Sequence, residues 1–397
     1  MTISGRILLS AFAIVCSFSG YAQLKDSLVR QTDIIDLGMN VLGKDAALRT
    51  KTDSGIRHGL KVSAGPIIEY LKATGVAYGA AVNGAFLTDG AGTNLSSVLL
   101  TVKYTQRHQF LLPMQSSIWL PGNKYYFLGD WRFLHYPQDT YGFGGRTSET
   151  NVYIVSYKYF RFYENVYRKV RENFYAGAGY RLDNHWQIDQ LHVDPGLITD
   201  FTKYGFAGNS VSSGFTLNVL YDARKNSINP VAGGFYANIE YRQNLTGLGS
   251  TSPWSGLLVD IRKYIRLSHG VVLALWSYNV FTMQGNPPYL DLPATGSDTY
   301  NNTGRGYEQG RFLGKNMIDL EAELRFRITD NGLLGGVIFA NAESLSEFSN
   351  RFEVVSFACG AGIRVKFNKL SNTNVAIDYG IGKQGSNSFF GNLGEVF

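Results

Sequence analysis

The sequence predicts an all-β chain, a sixteen-stranded antiparallel transmembrane β-barrel with an inward-folded loop between its eleventh and twelfth strands. Three observations lead there. The first is alternation: in Asp319-x-Glu321-x-Glu323-x-Arg325-x-Arg327 every charged residue is odd-numbered, while Ile318, Leu320, Ala322, Leu324, Phe326 and Ile328 are even-numbered. At the period of two of a strand, this gives one charged face and one apolar face. The second is composition: aromatics make up 14% of the chain, with 25 Tyr, 25 Phe and 45 Gly, and no apolar run in the mature chain nears the ~20 residues a membrane helix needs. The third is that the connections sort by length, the long ones on one side of the wall and the short ones on the other.

Taken in order, the chain opens with a short basic start ending at Arg6, an apolar stretch from Ile7 to Val15, and the small-residue site Gly20-Tyr21-Ala22. Residues 1–22 therefore read as a secretory signal peptide. Cys16 raises the alternative of a lipoprotein signal, but Val15 stands where such signals want a small residue. Cys359 is then alone in the mature chain, which rules out an internal disulfide framework. Residues 23–59 form a short periplasmic N-terminal segment; within it, residues 33–42 carry apolar spacings that allow an amphipathic helix, either a tether or a partial plug at the barrel mouth.

Strand patterns fill residues 60–397, which form one barrel domain. They fall at 61–71, 74–88, 95–106, 108–120, 124–136, 149–164, 171–184, 212–224, 233–245, 254–267, 270–283, 314–328, 332–343, 353–368, 373–382 and 388–397. Phe215, Leu217, Val219 and Tyr221 oppose Thr216, Asn218 and Asp222; Phe235, Ala237, Ile239 and Tyr241 oppose Asn238, Glu240 and Arg242. Cys359 shares the apolar face of its strand. Residues 149–184 are aromatic on both faces, so their register is open. The long connections 137–148, 185–211, 284–313 and 344–352 all fall on one side, and short turns rich in Gly, Asn, Asp, Pro and Ser on the other. That sorting places both termini in the periplasm of a bacterial cell, with the barrel in its outer membrane. The chain ends Phe389-Phe390-Gly391-Asn392-Leu393-Gly394-Glu395-Val396-Phe397; Asn392, Gly394 and the terminal Phe397 read as a final-strand signal for outer-membrane assembly, or as an interfacial aromatic.

The segment Gly304-Arg305-Gly306-Tyr307 lies in the longest connection, where glycine lets a chain fold into a confined space. Arg305 reads either as a latch reaching wall carboxylates at Glu323, Glu321 or Asp319, or as a solvated loop arginine outside. Asp222, Arg224, Pro230 and Gly233 read as turn chemistry on the periplasmic side. The inward charges Asp222, Arg224, Glu240, Arg242, Asp260, Arg262, Arg266, Arg325 and Arg327 either line a selective path or neutralise one another.

At this point the residues resemble a known family, the BamA/TamA-like barrels of bacterial surface antigens. Gly304-Arg305-Gly306-Tyr307 is similar to that family's Val-Arg-Gly-Phe/Tyr loop motif, with Gly304 in place of valine. Glu323 resembles the inward glutamate that the loop arginine meets. Asp222-x-Arg224 with Pro230-x-x-Gly233 resembles the family's turn, Asp139 to Gly144 its aromatic-glycine loop, and Asn392 to Phe397 its last strand. Two departures stand out: residues 23–59 are too few for a POTRA domain, and Ala340 stands where the family places a second carboxylate for the arginine. Asp319, Glu321 or Asp378 are the candidates to replace it.

The net charge of +6 is spread along the strands, unlike a nucleic-acid-binding face. The six histidines lack ligand spacing and no serine sits in a Gly-x-Ser-x-Gly elbow, so neither catalysis, a metal nor a cofactor is expected. The expected partners are outer-membrane lipid and other outer-membrane or periplasmic proteins. The resemblance implies a role in outer-membrane biogenesis or transport without POTRA domains; the alternative is a passive pore or a scaffold for surface partners.

Overall fold

The computed structural model describes residues 31–43, 60–71, 74–89, 92–194, 196–205, 207–224, 226–230, 234–369 and 372–397. The expected signal peptide, Cys16 and Gly233 lie outside them.

Among the described residues seventeen strands form one antiparallel sheet: β1 (Lys61–Leu71), β2 (Gly75–Phe86), β3 (Ser96–Thr105), β4 (Phe110–Trp119), β5 (Tyr125–His135), β6 (Gln138–Thr140), β7 (Tyr153–Arg171), β8 (Phe174–Leu191), β9 (Asn209–Asp222), β10 (Gly234–Asn244), β11 (Trp254–Ser268), β12 (Val271–Gly285), β13 (Asn316–Arg327), β14 (Leu334–Leu345), β15 (Ser356–Asn368), β16 (Thr373–Ile381) and β17 (Asn387–Leu393). Each pairs with its neighbour in sequence, except that β5 and the three-residue β6 both pair with β7. The element beyond the sixteen expected is thus β6, a continuation of β5 along the same partner. The end strands β1 and β17 approach each other, with no ladder between them among the described residues.

Alternation sets which face each strand presents. Leu217, Leu320, Phe357, Ile363 and Ile377 point outward and are exposed, as is Cys359, while Thr216, Asn218, Glu240, Asp319, Glu321, Glu323 and Arg364 point inward and are buried. A sheet that is apolar outside and polar inside suits a wall between hydrocarbon and a polar interior. Among the described residues no helix is long and apolar enough to cross a membrane.

The largest departure from the expected boundaries is in β7 and β8. The turn placed at 165–170 lies instead at Glu172-Asn173, and β7 and β8 run well past their predicted ends. Asn165 looks like a turn residue in sequence, yet here it is buried on the inner wall, where its side-chain oxygen accepts from Thr216 Oγ1 at 3.1 Å and Asn218 Nδ2 at 3.3 Å. The real turn uses Asn173 at φ +58°, a left-handed conformation asparagine tolerates.

Antiparallel succession puts the connections 136–152, 192–208, 286–315 and 346–355 at one end and the short turns at the other. At the long-loop end, aromatic residues from strands and loops, including Tyr136, Phe143, Tyr157, Phe201 and Tyr289, pack into a hydrophobic cluster over the interior. The helix α1 (Ile34–Val41) docks at the short-turn end against the turn after β15. A second helix, α2 (Asp200–Gly205), lies in the 192–208 connection.

Candidate functional site

Arg305 is fully buried, and the connection that carries it descends into the interior. The two flanking glycines make this possible: Gly304 has φ +70° and Gly306 φ +111°. A Cβ on Gly306 would stand 2.7 Å from Ala358 Cβ, and one on Gly380 would stand 2.7 Å from the Gly306 backbone, so loop and wall touch main chain to main chain. Asn341 donates its side-chain amide to the Arg305 carbonyl at 2.6 Å. Tyr307, also buried, donates its hydroxyl to the Phe357 carbonyl at 2.7 Å and accepts from the Lys383 backbone amide at 2.9 Å.

The guanidinium meets three carboxylates from two strands that are not neighbours. Nη1 donates to Asp378 Oδ2 on β16 at 2.5 Å, and Nη2 donates to Glu323 Oε2 on β13 at 2.5 Å and to Glu321 Oε1. Its flat face lies 3.8 Å from the centre of the Phe339 ring. Planar, forked donors suit such a site better than an ammonium would.

From there the ion pairs continue. Arg364 donates to Asp378 and, through Nε, to Glu395 Oε2 at 2.7 Å; Arg325 Nε donates to Glu323 Oε1 at 2.6 Å. Three guanidiniums thus share four carboxylates, Glu321, Glu323, Asp378 and Glu395.

Glu395 belongs to a segment that alternation assigns to the last strand. The strand β17 ends at Leu393, and Gly394, at φ +109°, turns the chain inward. Phe397 is neither a final-strand residue nor an interfacial aromatic: it is buried inside, stacked on Trp276 with ring centres 5.1 Å apart, and its carbonyl accepts from Arg325 Nη2 at 2.9 Å. Asn392 stays in the strand and donates to Asn302 Oδ1 at 3.1 Å.

Of the expected latch residues, Gly304, Arg305, Gly306, Tyr307, Glu321 and Glu323 come together. Asp319 does not join them; it lies on the same buried face opposite Glu343, and neither of its oxygens has a hydrogen-bond donor among the described residues. The position weighed for the missing carboxylate, Ala340, faces outward; the inward neighbours are Phe339 and Asn341, and Asp378 supplies the charge. Asp222 and Arg224 pair at 2.8 Å, Arg224 covers the Tyr236 ring, and Pro230 is buried. The i, i+2 pairing recurs at Asp130–Arg132 and Asp260–Arg262, so many inward charges neutralise one another. Asn341, Phe339, Arg364 and Glu395 were not singled out in sequence, where only their inward parity was available, and Asn302 lies in a connection, where alternation gives no signal. Among the described residues no group of three or more His, Cys, Asp or Glu side chains is placed to hold a metal ion.

The aromatic-glycine segment Asp139 to Gly144 ties the same loop down at the long-loop end. Gly144 donates its amide to the Leu313 carbonyl at 2.6 Å, and Tyr141 donates its hydroxyl to Glu308 at 3.0 Å.

The fold of this antiparallel sheet is also found among known structures. The crystal structure of BamA from Haemophilus ducreyi lacking POTRA domains 1–3 is similar at TM-score 0.56 and 15% identity, over 85% of this chain and 70% of that one. The chain has the fold of the BamA and CdiB barrels. CdiB from Acinetobacter baumannii (TM-score 0.54, 12% identity) and CdiB from Escherichia coli (0.55, 10%) are similar over 86% and 83% of this chain, which spans 66% and 62% of theirs. No family model matches the sequence, and a search of curated proteins finds no match.

Proposed function

We propose that this chain is a bacterial outer-membrane barrel that acts in outer-membrane biogenesis or transport, without catalysis, and that its interior is held shut at rest by a latched loop. The observation that carries this reading is the Arg305 guanidinium, which ties the 286–315 connection to β13 and β16 at once. A barrel of this width leaves a wet interior unless something fills it. Here the loop enters from the long-loop end, and residues 394–397 enter from the other. A passive pore has no use for two segments held by buried charge, so the occupied interior favours a gated role. The likeness to BamA and CdiB supports the outer-membrane location, and the latch supports a resting closed state.

Depletion in the native bacterium tests the role: the outer-membrane content of protein or lipid should change. Unchanged content of both would refute biogenesis. Planar-bilayer recording tests the latch separately, because the wild-type protein should be mostly silent and Arg305→Ala should conduct. A large steady conductance from the wild type would sink the closed-state reading.

A further inference from the structure

The helix α1 is inside-out for a helix packed on a protein. Its acids are the buried side chains: Asp33 is 0% exposed and Asp36 4%, while Val41 is 87% exposed and Leu42 73%. Asp33 and Asp36 form a capping box at its start. Both also reach the barrel, where Asp33 Oδ2 accepts from the Lys369 backbone amide at 2.7 Å and Asp36 Oδ2 from Lys369 Nζ at 2.7 Å. Thr32 donates its amide to the Asn331 carbonyl at 3.1 Å. The helix is thereby pinned to two short turns, with Ile34, Leu37 and Val41 in an exposed stripe at i, i+3 and i+7.

We propose that this stripe lies in the surface of the lipid bilayer, at the headgroup and acyl boundary of the leaflet on the short-turn side. Continuity argues for lipid. The two turns that hold α1 close the strand pairs β13–β14 and β15–β16; Ile328, in the first turn, and Ile363 and Phe367, on β15, are exposed and apolar. The helix hangs where that hydrocarbon-facing wall ends. Its charge placement agrees: anionic headgroups would repel Asp33 and Asp36, and these are the residues turned to Lys369. An amphipathic helix with its apolar face ~5–10 Å into the boundary is a known way to sit on a bilayer. In this chain it would fix the short-turn rim, and the β13–β16 wall that carries the latch, against the membrane plane.

The test uses full-length protein with Cys16→Ser and Cys359→Ser, carrying an environment-sensitive nitrobenzoxadiazole label at Val41→Cys, Asn40→Cys or Leu320→Cys. Each is placed in phosphatidylethanolamine–phosphatidylglycerol nanodiscs with or without bromine on the acyl chains. Heat-modifiable gel migration confirms folding, and Leu37→Cys replaces Val41→Cys if that variant does not fold. Bromolipid should quench the label at 41 by about twofold or more, as it does at the wall position 320, and leave the label at 40 bright. Iodide in the buffer should do the reverse. Quenching at 320 without quenching at 41 overturns the helix proposal alone, whereas no quenching at 320 overturns the bilayer placement on which it rests. A disulfide-linked dimer of the unlabelled Val41→Cys variant would overturn the proposal by assigning the stripe to a second copy. A label at 41 reached by neither quencher would overturn it by assigning the stripe to another segment of the chain.

Discussion

Asn302 donates its side-chain amide to the backbone carbonyl of Val396 at 2.9 Å, joining two segments that enter the barrel from opposite ends. The same residue accepts from Asn392 at 3.1 Å. Loop 286–315 and residues 392–397 are therefore mechanically one unit. Asn302→Ala should raise hydrogen exchange in both segments together, at a cost of ~1 kcal/mol for the lost interior hydrogen bond. A rise confined to the loop would show that the two move independently.

Arg305→Ala leaves Glu321, Glu323 and Asp378 buried around a missing cation. Removing one partner of such a cluster costs ~3–5 kcal/mol, and denaturant unfolding in detergent micelles should show a loss of that order. Arg305→Lys should recover only part of it, since one ammonium cannot span donors to β13 and β16.

Gly304→Val would install the residue that the BamA/TamA-like motif carries at this position, and here it should weaken the latch. Gly304 holds φ +70°, and its Cβ would stand 2.7 Å from Thr295 Cγ2 and 2.9 Å from Glu343 Oε2. A β-branched residue in a left-handed conformation costs ~1–3 kcal/mol before the clash is counted. Thermal unfolding of the variant at or above the wild-type midpoint would contradict this account.

Asp291 closes a 3₁₀ turn, Tyr289–Asp291, in the long connection. Burial, with the nearby charge of Asp183 second, pushes its carboxyl up to about 7. Ser212 Oγ donates to it at 2.5 Å, and His185 Nδ1 lies 3.6 Å away. A carboxyl raised in the fold above its ordinary value of about 4 keeps a proton the unfolded chain gives up. Its contribution is therefore fully present below pH ~4 and is lost as pH rises through about 7. Hydrogen exchange of residues 286–295, corrected for intrinsic rates, should be slower at pH ~5 than at pH ~8. Asp291→Asn should flatten that difference.

Phe397→Ala removes a ring packed on Tyr264 and Trp276. Protein refolded from urea should lose ~3 kcal/mol of stability, as for an aromatic cut from a core. If the residue served only as an export signal, the refolded variant would match the wild type.

Much of the wall was legible because a strand has a period of two and water is on one side only. The charged parity of Asp319 to Arg327 marked the inner face of β13, and the same rule placed Cys359, Leu217 and Ile239 outside. The rule failed where polarity gave no contrast, as in β7, and where an asparagine inside a wet interior imitated a turn.

For the site, residue order alone pointed to an arginine between two glycines and a set of inward acids. Parity specifies a face but carries no information about distance across the interior. Which carboxylates Arg305 meets depends on sheet curvature and on how far the loop descends, so Asp378 joined while Asp319, on the expected strand, did not. The tail followed the same logic. Alternation would carry the last strand through Phe397, but one positive φ at Gly394 sends it inward, and it is packing against Trp276 and Arg325, distant in sequence, that makes this turn the favoured one.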